Sequence, residues 1–226
     1  MLKVVTYYAD TGSLECQETF QKCYSAVSPL RRSKVDSMVF DKDKRLSLGV
    51  EVLLMKAIED LGEDVDLSTI ITVANGKPAI KGSDIQFNLS HSEQRVMCSV
   101  SDRPVGCDVE RIQPIEMDIA RRFFFGTEYE AISSVSDKDR YDLFYRFWTL
   151  KESFMKVTGL GFELPLDSFR IDLGDTITVH QGVDDQDYHF KEYFVDDGYR
   201  YAVCSANSDF EEKMRAVNIS DLVVLS

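Results

Sequence analysis

The sequence predicts an α+β fold in two halves, on three observations. Strand-like segments open the chain, recur in its middle and dominate its end, and two blocks of helix separate them. The order strand, helices, strands repeats once, so halves of similar length and element order meet near residue 105, giving expected units 1–105 and 106–226. One helix, Asp41 to Leu61, carries a continuous apolar stripe of Leu46, Val50, Leu53, Leu54, Ala57, Ile58 and Leu61.

Taken in order, Leu2 to Ala9 reads as a strand. Cys16, Phe20, Cys23, Tyr24 and Val27 share one face of a helix that stops near Pro29. In the long helix Asp41 suits the N-cap and Gly62 the position just past the end. Ser68 to Val73 and Pro78 to Ile80 form a hairpin about Asn75-Gly76. Ile85 to Leu89, Arg95 to Ser101 and Pro104 to Arg111 are short strands. Helices follow over Ile119 to Phe125, Thr127 to Val135 and Arg140 to Val157, the last ended by Gly159. Strands then run over Phe169 to Leu173, Thr176 to His180, Tyr188 to Val195, Tyr199 to Ser205 and Asp221 to Leu225.

Composition narrows the function. Among 226 residues, 26 Lys and Arg stand against 39 Asp and Glu, a formal charge of −13. Nucleic-acid binding draws its affinity from clustered positive charge, so that class is excluded. Cys16, Cys23, Cys98, Cys107 and Cys204 form no C-x-x-C pair and read as reduced thiols of a cytoplasmic protein. The apolar run after Met1 meets a charge too early for a signal peptide, and no 18-residue apolar stretch is present to span a membrane. There is no Walker A sequence, no G-x-G-x-x-G and no G-x-S-x-G elbow.

Four stretches carry chemistry. In Val105-Gly106-Cys107-Asp108-Val109-Glu110 the period of a strand puts Gly106, Asp108 and Glu110 on one face. Two carboxylates so placed suit Mg²⁺, which takes one or two carboxylates and fills its other sites with water and phosphate. A strand with one solvated face explains the same pattern. Gly106 is expected to let a ligand approach the backbone. In the second stretch Trp148, Glu152 and Lys156 follow at i+4 steps along a helix that is apolar nearly all round, either as part of a cleft or as an exposed ion pair. Asn88-Leu89-Ser90-His91-Ser92 offers hydroxyls and an imidazole to an anion, or is a plain loop. Residues 31–45 hold Arg31, Arg32, Lys34, Lys42, Lys44 and Arg45 against Asp36, Asp41 and Asp43, six minus three, a local +3. That patch, with Lys77 after Gly76, suits a polyanion or is a solvated helix face.

Together these residues resemble the signature of the 4′-phosphopantetheinyl transferases: V-G-x-D-x-E at Val105 to Glu110, then W-x-x-K-E-x-x-x-K at Trp148, Lys151, Glu152 and Lys156. Asn88 to Ser92, Gly76-Lys77-Pro78 and the Arg31, Lys34, Arg45 cluster fall where the Sfp-type subfamily has comparable motifs, with Arg31 in place of a common lysine. The resemblance implies a pseudo-twofold α+β monomer with its ligand between the halves. It implies transfer of the phosphopantetheine arm of coenzyme A to a serine of an apo acyl or peptidyl carrier domain, as in nonribosomal peptide or polyketide biosynthesis, releasing adenosine 3′,5′-bisphosphate. Asp108, Glu110 and Glu152 are then expected to hold Mg²⁺ or Mn²⁺, with Glu152 as base and Lys156 on the pyrophosphate. Arg31, Lys34, Arg45, Lys77, Ser90 and His91 are expected on coenzyme A phosphates, and Glu128 as an extra acid. Phe123-Phe124-Phe125 is expected either to dock the carrier or to be core. The rival expectations are a Mg²⁺-dependent hydrolase of the coenzyme A pyrophosphate and a non-catalytic coenzyme A-binding protein.

Overall fold

The computed structural model describes residues 2–63, 65–72 and 76–222. Its N-terminal elements are β1 (Val5–Asp10), α1 (Gln17–Ala26), α2 (Pro29–Asp36), α3 (Asp41–Leu61), β2 (Ile70–Thr72), β3 (Pro78–Ile80), β4 (Gln86–Ser92) and β5 (Arg95–Ser101). Then come β6 (Val105–Arg111), α4 (Asp118–Phe123), α5 (Gly126–Ser134), α6 (Asp137–Thr158), β7 (Arg170–Leu173), β8 (Ile177–His180), β9 (His189–Tyr193), β10 (Tyr199–Ser205), β11 (Arg215–Ala216) and α7 (Ile219–Leu222). The α+β class is as expected.

Punctuation residues explain the helix ends. Gly62 closes α3 at φ 68° and Gly159 closes α6 at φ 73°, a left-handed conformation that glycine adopts without a Cβ clash. Pro29 behaves differently from the expectation that it only stops a helix. It occupies the first turn of α2, where its missing N–H would have no partner anyway. Ser28 Oγ accepts the Arg31 N–H at 3.1 Å as the cap. The basic segment is therefore split between α2 and the start of α3.

Two sheets dominate, a mixed ladder in the order β11-β1-β5-β4 and an antiparallel ladder in the order β6-β10-β9. The expected hairpin pairs Ile70 with Ile80 across β2 and β3; Asn75 of its turn lies outside the described residues. The expected strand from Asp221 to Leu225 is corrected: residues 219–222 are helical, and 223–226 lie outside the described residues. The C-terminal strand of the first ladder is instead β11, parallel to β1, with only two residues and so no alternation to reveal it. Among the described residues no helix is long and apolar enough to cross a membrane.

The core lies in three layers. α3 covers one face of the first ladder, and α6 covers one face of the second. Between the ladders Met97 of β5 packs with Val105, Cys107, Val109, Tyr199, Tyr201 and Val203. Val105, Cys107 and Val109 of β6 are thus committed to core, and Asp108 and Glu110 face α6 as the alternation predicts.

β4 and β6 lie side by side without sharing a backbone ladder. Alternate β4 side chains bridge the gap. Asn88 Oδ1 accepts the Cys107 N–H at 2.9 Å, Ser90 Oγ the Val109 N–H at 3.3 Å, and Ser92 Oγ the Arg111 N–H at 3.3 Å.

Gly106 serves the helix rather than a ligand, correcting the expectation. A Cβ there would stand 2.2 Å from Ser153 O and 2.4 Å from Val157 N of α6. Backbone atoms of a packed helix cannot yield separately, so Gly106→Ala is expected to destabilise by at least the ~1–3 kcal/mol typical of overpacking. Chemical denaturation measures it, and an unchanged midpoint would refute the close approach.

Candidate functional site

Three elements converge on one cleft of about 260 Å³ lined by Leu89, Ser90, His91, Asp108, Glu110, Trp148, Glu152 and Lys156. β4 brings Ser90 and His91, β6 brings Asp108 and Glu110, and successive turns of α6 bring Trp148, Glu152 and Lys156. The i+4 stack on α6 forms a wall because it faces the polar side of β6, which Gly106 lets approach closely.

Lys156 does not pair with Glu152 along the helix. Its Nζ donates to Asp108 Oδ1 at 2.6 Å, Ser90 Oγ at 3.0 Å and Cys107 O at 3.1 Å. Burial alone would lower its pKa, but Asp108 and its other acidic neighbours prevail and raise it, so the ammonium stays charged. Ser90 Oγ donates to Asp108 Oδ1 at 2.8 Å, and Ser92 Oγ donates to Glu110 Oε2 at 2.6 Å. Burial, then the Asp108 charge, pushes Glu110 up to about 7. The same two causes raise Glu152, whose side chain makes no hydrogen bond or ion pair with the described residues. Burial, then Lys156 and Lys34, lowers His91.

The donor set can be tested against a hard cation. Asp108 Oδ2 is buried without a hydrogen-bond partner, and Glu110 and Glu152 are acids whose charge lacks compensation. Among the described residues no three His, Cys, Asp or Glu side chains already form a metal-ready cluster, and Asp108 Oδ1 and Glu110 Oε2 are turned to hydrogen-bond donors. Three carboxylates against one lysine leave negative charge that a divalent cation would neutralise, so the residues fit Mg²⁺ or Mn²⁺.

The remaining basic residues do not line this cleft. Arg31 donates through Nε to the buried Glu51 at 2.8 Å and through a terminal nitrogen to Ser47 Oγ at 3.2 Å. Arg45 lies 3.6 Å from Glu15. Lys77 Nζ donates to Lys156 O at 3.1 Å and Val105 O at 3.4 Å, tying the hairpin to α6 and β6. Lys34 is exposed, and its charge reaches His91. Glu51 escaped the sequence reading; its signal was a single acid between Val50 and Val52 within a buried helix.

One expectation is corrected, and one run is divided. Glu128 is no extra acid: both its oxygens are occupied, by Ile171 N–H at 2.7 Å, Phe125 N–H at 3.0 Å and Lys151 Nζ at 2.9 Å. The Phe123-Phe124-Phe125 run divides, because adjacent positions cannot share a face. Phe124 is buried, its ring centroid 6.2 Å from that of Trp148, whereas Phe123 is 40% exposed.

Chemically, the cleft suits a protein that handles a polyanion with a divalent cation: acids to hold the ion, and a lysine and hydroxyls to meet phosphate oxygens. The family model described as the 4′-phosphopantetheinyl transferase superfamily matches residues 104–204. The chain is 36% identical over 212 residues to 4′-phosphopantetheinyl transferase Sfp of Bacillus subtilis, covering 92% of this chain and 94% of that protein. It is 34% identical to 4′-phosphopantetheinyl transferase ffp of Bacillus subtilis over 92% of this chain and 94% of that one. Against the mouse L-aminoadipate-semialdehyde dehydrogenase-phosphopantetheinyl transferase it is 26% identical over 81% of this chain and 68% of that protein. The chain belongs to the 4′-phosphopantetheinyl transferase superfamily, as the motifs implied, and is an enzyme of that class.

Proposed function

We propose that this chain transfers the 4′-phosphopantetheine arm of coenzyme A to a serine of an apo acyl or peptidyl carrier domain. Such a carrier would serve nonribosomal peptide or polyketide biosynthesis in the cytoplasm, and the enzyme acts as a monomer. The observation that carries the reading is the convergence of Ser90, His91, Asp108, Glu110, Glu152 and Lys156 in one cleft of a chain of this family. β4 of the first ladder and β6 of the second flank that cleft, joined by their side-chain seam. An exact division at residue 105 does not follow the sheets, since Val105 opens β6 and β11 returns to pair with β1.

The serine oxygen forms a bond to the phosphorus that carries the pantetheine arm, and that phosphorus parts from the oxygen of adenosine 3′,5′-bisphosphate. Catalysis is then positioning and charge neutralisation. Glu152, unengaged and with its proton affinity raised by burial, accepts the serine proton. Lys156, held charged by Asp108, exchanges one of its three present acceptors for a pyrophosphate oxygen. Asp108, Glu110 and Glu152 would hold Mg²⁺ or Mn²⁺, which supplies Lewis-acid stabilisation of the pyrophosphate. His91, Lys34 and Arg45 receive coenzyme A phosphates, as do Lys77, through the N–H that the Val105 and Lys156 carbonyls leave over, and Ser90, by turning its O–H away from Asp108. So does Arg31, whose guanidinium has further N–H groups without a partner among the described residues, beyond those given to Glu51 and Ser47.

The test is to incubate the protein with coenzyme A, Mg²⁺ and an apo carrier domain and to weigh the carrier. Gain of the phosphopantetheine mass supports the proposal. Coenzyme A cleavage without that gain, or no change, overturns it.

A pH prediction follows from Glu110. Its folded pKa of about 7 exceeds the ~4.3 of an unfolded glutamate, so between those values the folded state binds more protons. Its contribution to stability is therefore lost as pH rises through that window. In chelator, Glu110→Gln is expected to melt a few degrees above the wild type at pH 8, with the gain vanishing near pH 4. A gain equal at both pH values would show that Glu110 is not raised.

A further inference from the structure

We infer that Ser92 is a positioning residue that fixes the Glu110 carboxylate for its cation; the inference rests on the proposed role of the three carboxylates and extends it. Along the β4–β6 seam two serines, two residues apart, do the same thing. Ser90 accepts the Val109 N–H and donates to the Asp108 carboxylate, and Ser92 accepts the Arg111 N–H and donates to the Glu110 carboxylate. A hydroxyl has one proton and two lone pairs. Once a backbone N–H takes a lone pair, the O–H is aimed, and here it is aimed at the acid one residue earlier on β6. The seam that joins the two ladders thus also sets the direction of both β6 carboxylates.

The two serines differ in what else restrains their acid. Asp108 is 4% exposed and also held by Lys156, whereas Glu110 has a longer side chain and is repelled by Asp108. Among the described residues, the 2.6 Å contact with Ser92 is the one hydrogen bond that Glu110's carboxylate makes. It engages Oε2 and leaves Oε1 for the cleft. Removing the hydroxyl frees Glu110 to swing from its like-charged neighbour, so a cation would have to order it at the moment of binding.

The experiment titrates Mn²⁺ into the full chain with coenzyme A bound, following free Mn²⁺ by electron paramagnetic resonance, for wild type, Ser92→Ala and Ser92→Thr. Ser92→Ala is expected to weaken Mn²⁺ binding by roughly tenfold, the lower end for a lost partner of a metal ligand. Ser92→Thr keeps the hydroxyl and is expected to recover most of the affinity. Coenzyme A affinity in chelator stays at the wild-type value, and melting temperature falls only in Ser92→Ala, by no more than one lost seam hydrogen bond brings. Mn²⁺ binding by Ser92→Ala as tight as the wild type overturns the inference. So does a lowered melting temperature that tracks the binding loss in both variants, since Ser92 would then only brace the seam. A wild type that binds no Mn²⁺ overturns both this inference and the carboxylate assignment beneath it, while carrier mass reports separately on the transferase reading.

Discussion

Glu152→Gln is expected to lower the transfer rate by at least ~10²–10⁴-fold, the worth of a positioned base, and by more because a cation ligand is lost with it. The substitution keeps the side chain's volume and removes both its charge and its basicity. The Glu152 side chain has no hydrogen bond or ion pair to the described residues, and burial and the Asp108 charge outweigh the Lys156 attraction, so the melting temperature should hold or rise. Single-turnover transfer to an apo carrier, read by mass, separates the chemical step from product release. Asp108→Asn is expected to be as damaging by a different route, leaving the Lys156 ammonium without the carboxylate 2.6 Å from it. Near-normal turnover in Glu152→Gln would show that Glu152 is neither base nor essential ligand.

Lys151→Ala is expected to be the costliest change to stability, at about 3–5 kcal/mol, the range for breaking a buried ion pair. The Lys151 and Glu128 side chains are 0% and 1% exposed, and Nζ gives its three protons to Glu128 Oε2, Leu166 O and Phe169 O. Those contacts tie α6 to α5 and to the segment entering β7, because Glu128 also takes the N–H groups of Phe125 and Ile171. The substitution strands a carboxylate and two carbonyls in an apolar layer. At roughly 2–4 °C per kcal/mol for a chain of this size, a fall of about 6–20 °C in melting temperature is expected. Lys151→Met combined with Glu128→Gln should recover part of the loss, since the buried charge is then absent. A Lys151→Ala protein melting within a degree of the wild type would show that the pair carries no such weight.

The contrast between Lys151 and Lys156 shows where sequence reading stops. Both lysines stand in one helical motif, and only Lys156 is expected at phosphate. Five residues on an α-helix turn the side chain by about 140°, so they occupy different faces. Periodicity identifies the faces, but it does not say that one meets Asp108 across a cleft while the other enters the core. The same holds for Glu128 and Glu152, an acid locked as a brace and an acid left open.

Much was nonetheless determined by the sequence alone. The α3 stripe, its glycine stop, the strand alternation of Val105 to Glu110 and the i+4 register of Trp148, Glu152 and Lys156 are local properties, set by 3.6- and 2-residue periods and by turn chemistry. The family, too, was legible, because its motifs are short runs of residues at fixed spacing. Only the tertiary structure decided which faces meet. It turned Arg31 to Glu51 and Lys77 to the carbonyls of Val105 and Lys156, gave Gly106 to the helix and made Asn88, Ser90 and Ser92 into a seam. The reason is physical: a local period fixes the direction of a side chain relative to its own element. Its hydrogen bonds, its charge partners and therefore its pKa depend on groups tens of residues away in the chain.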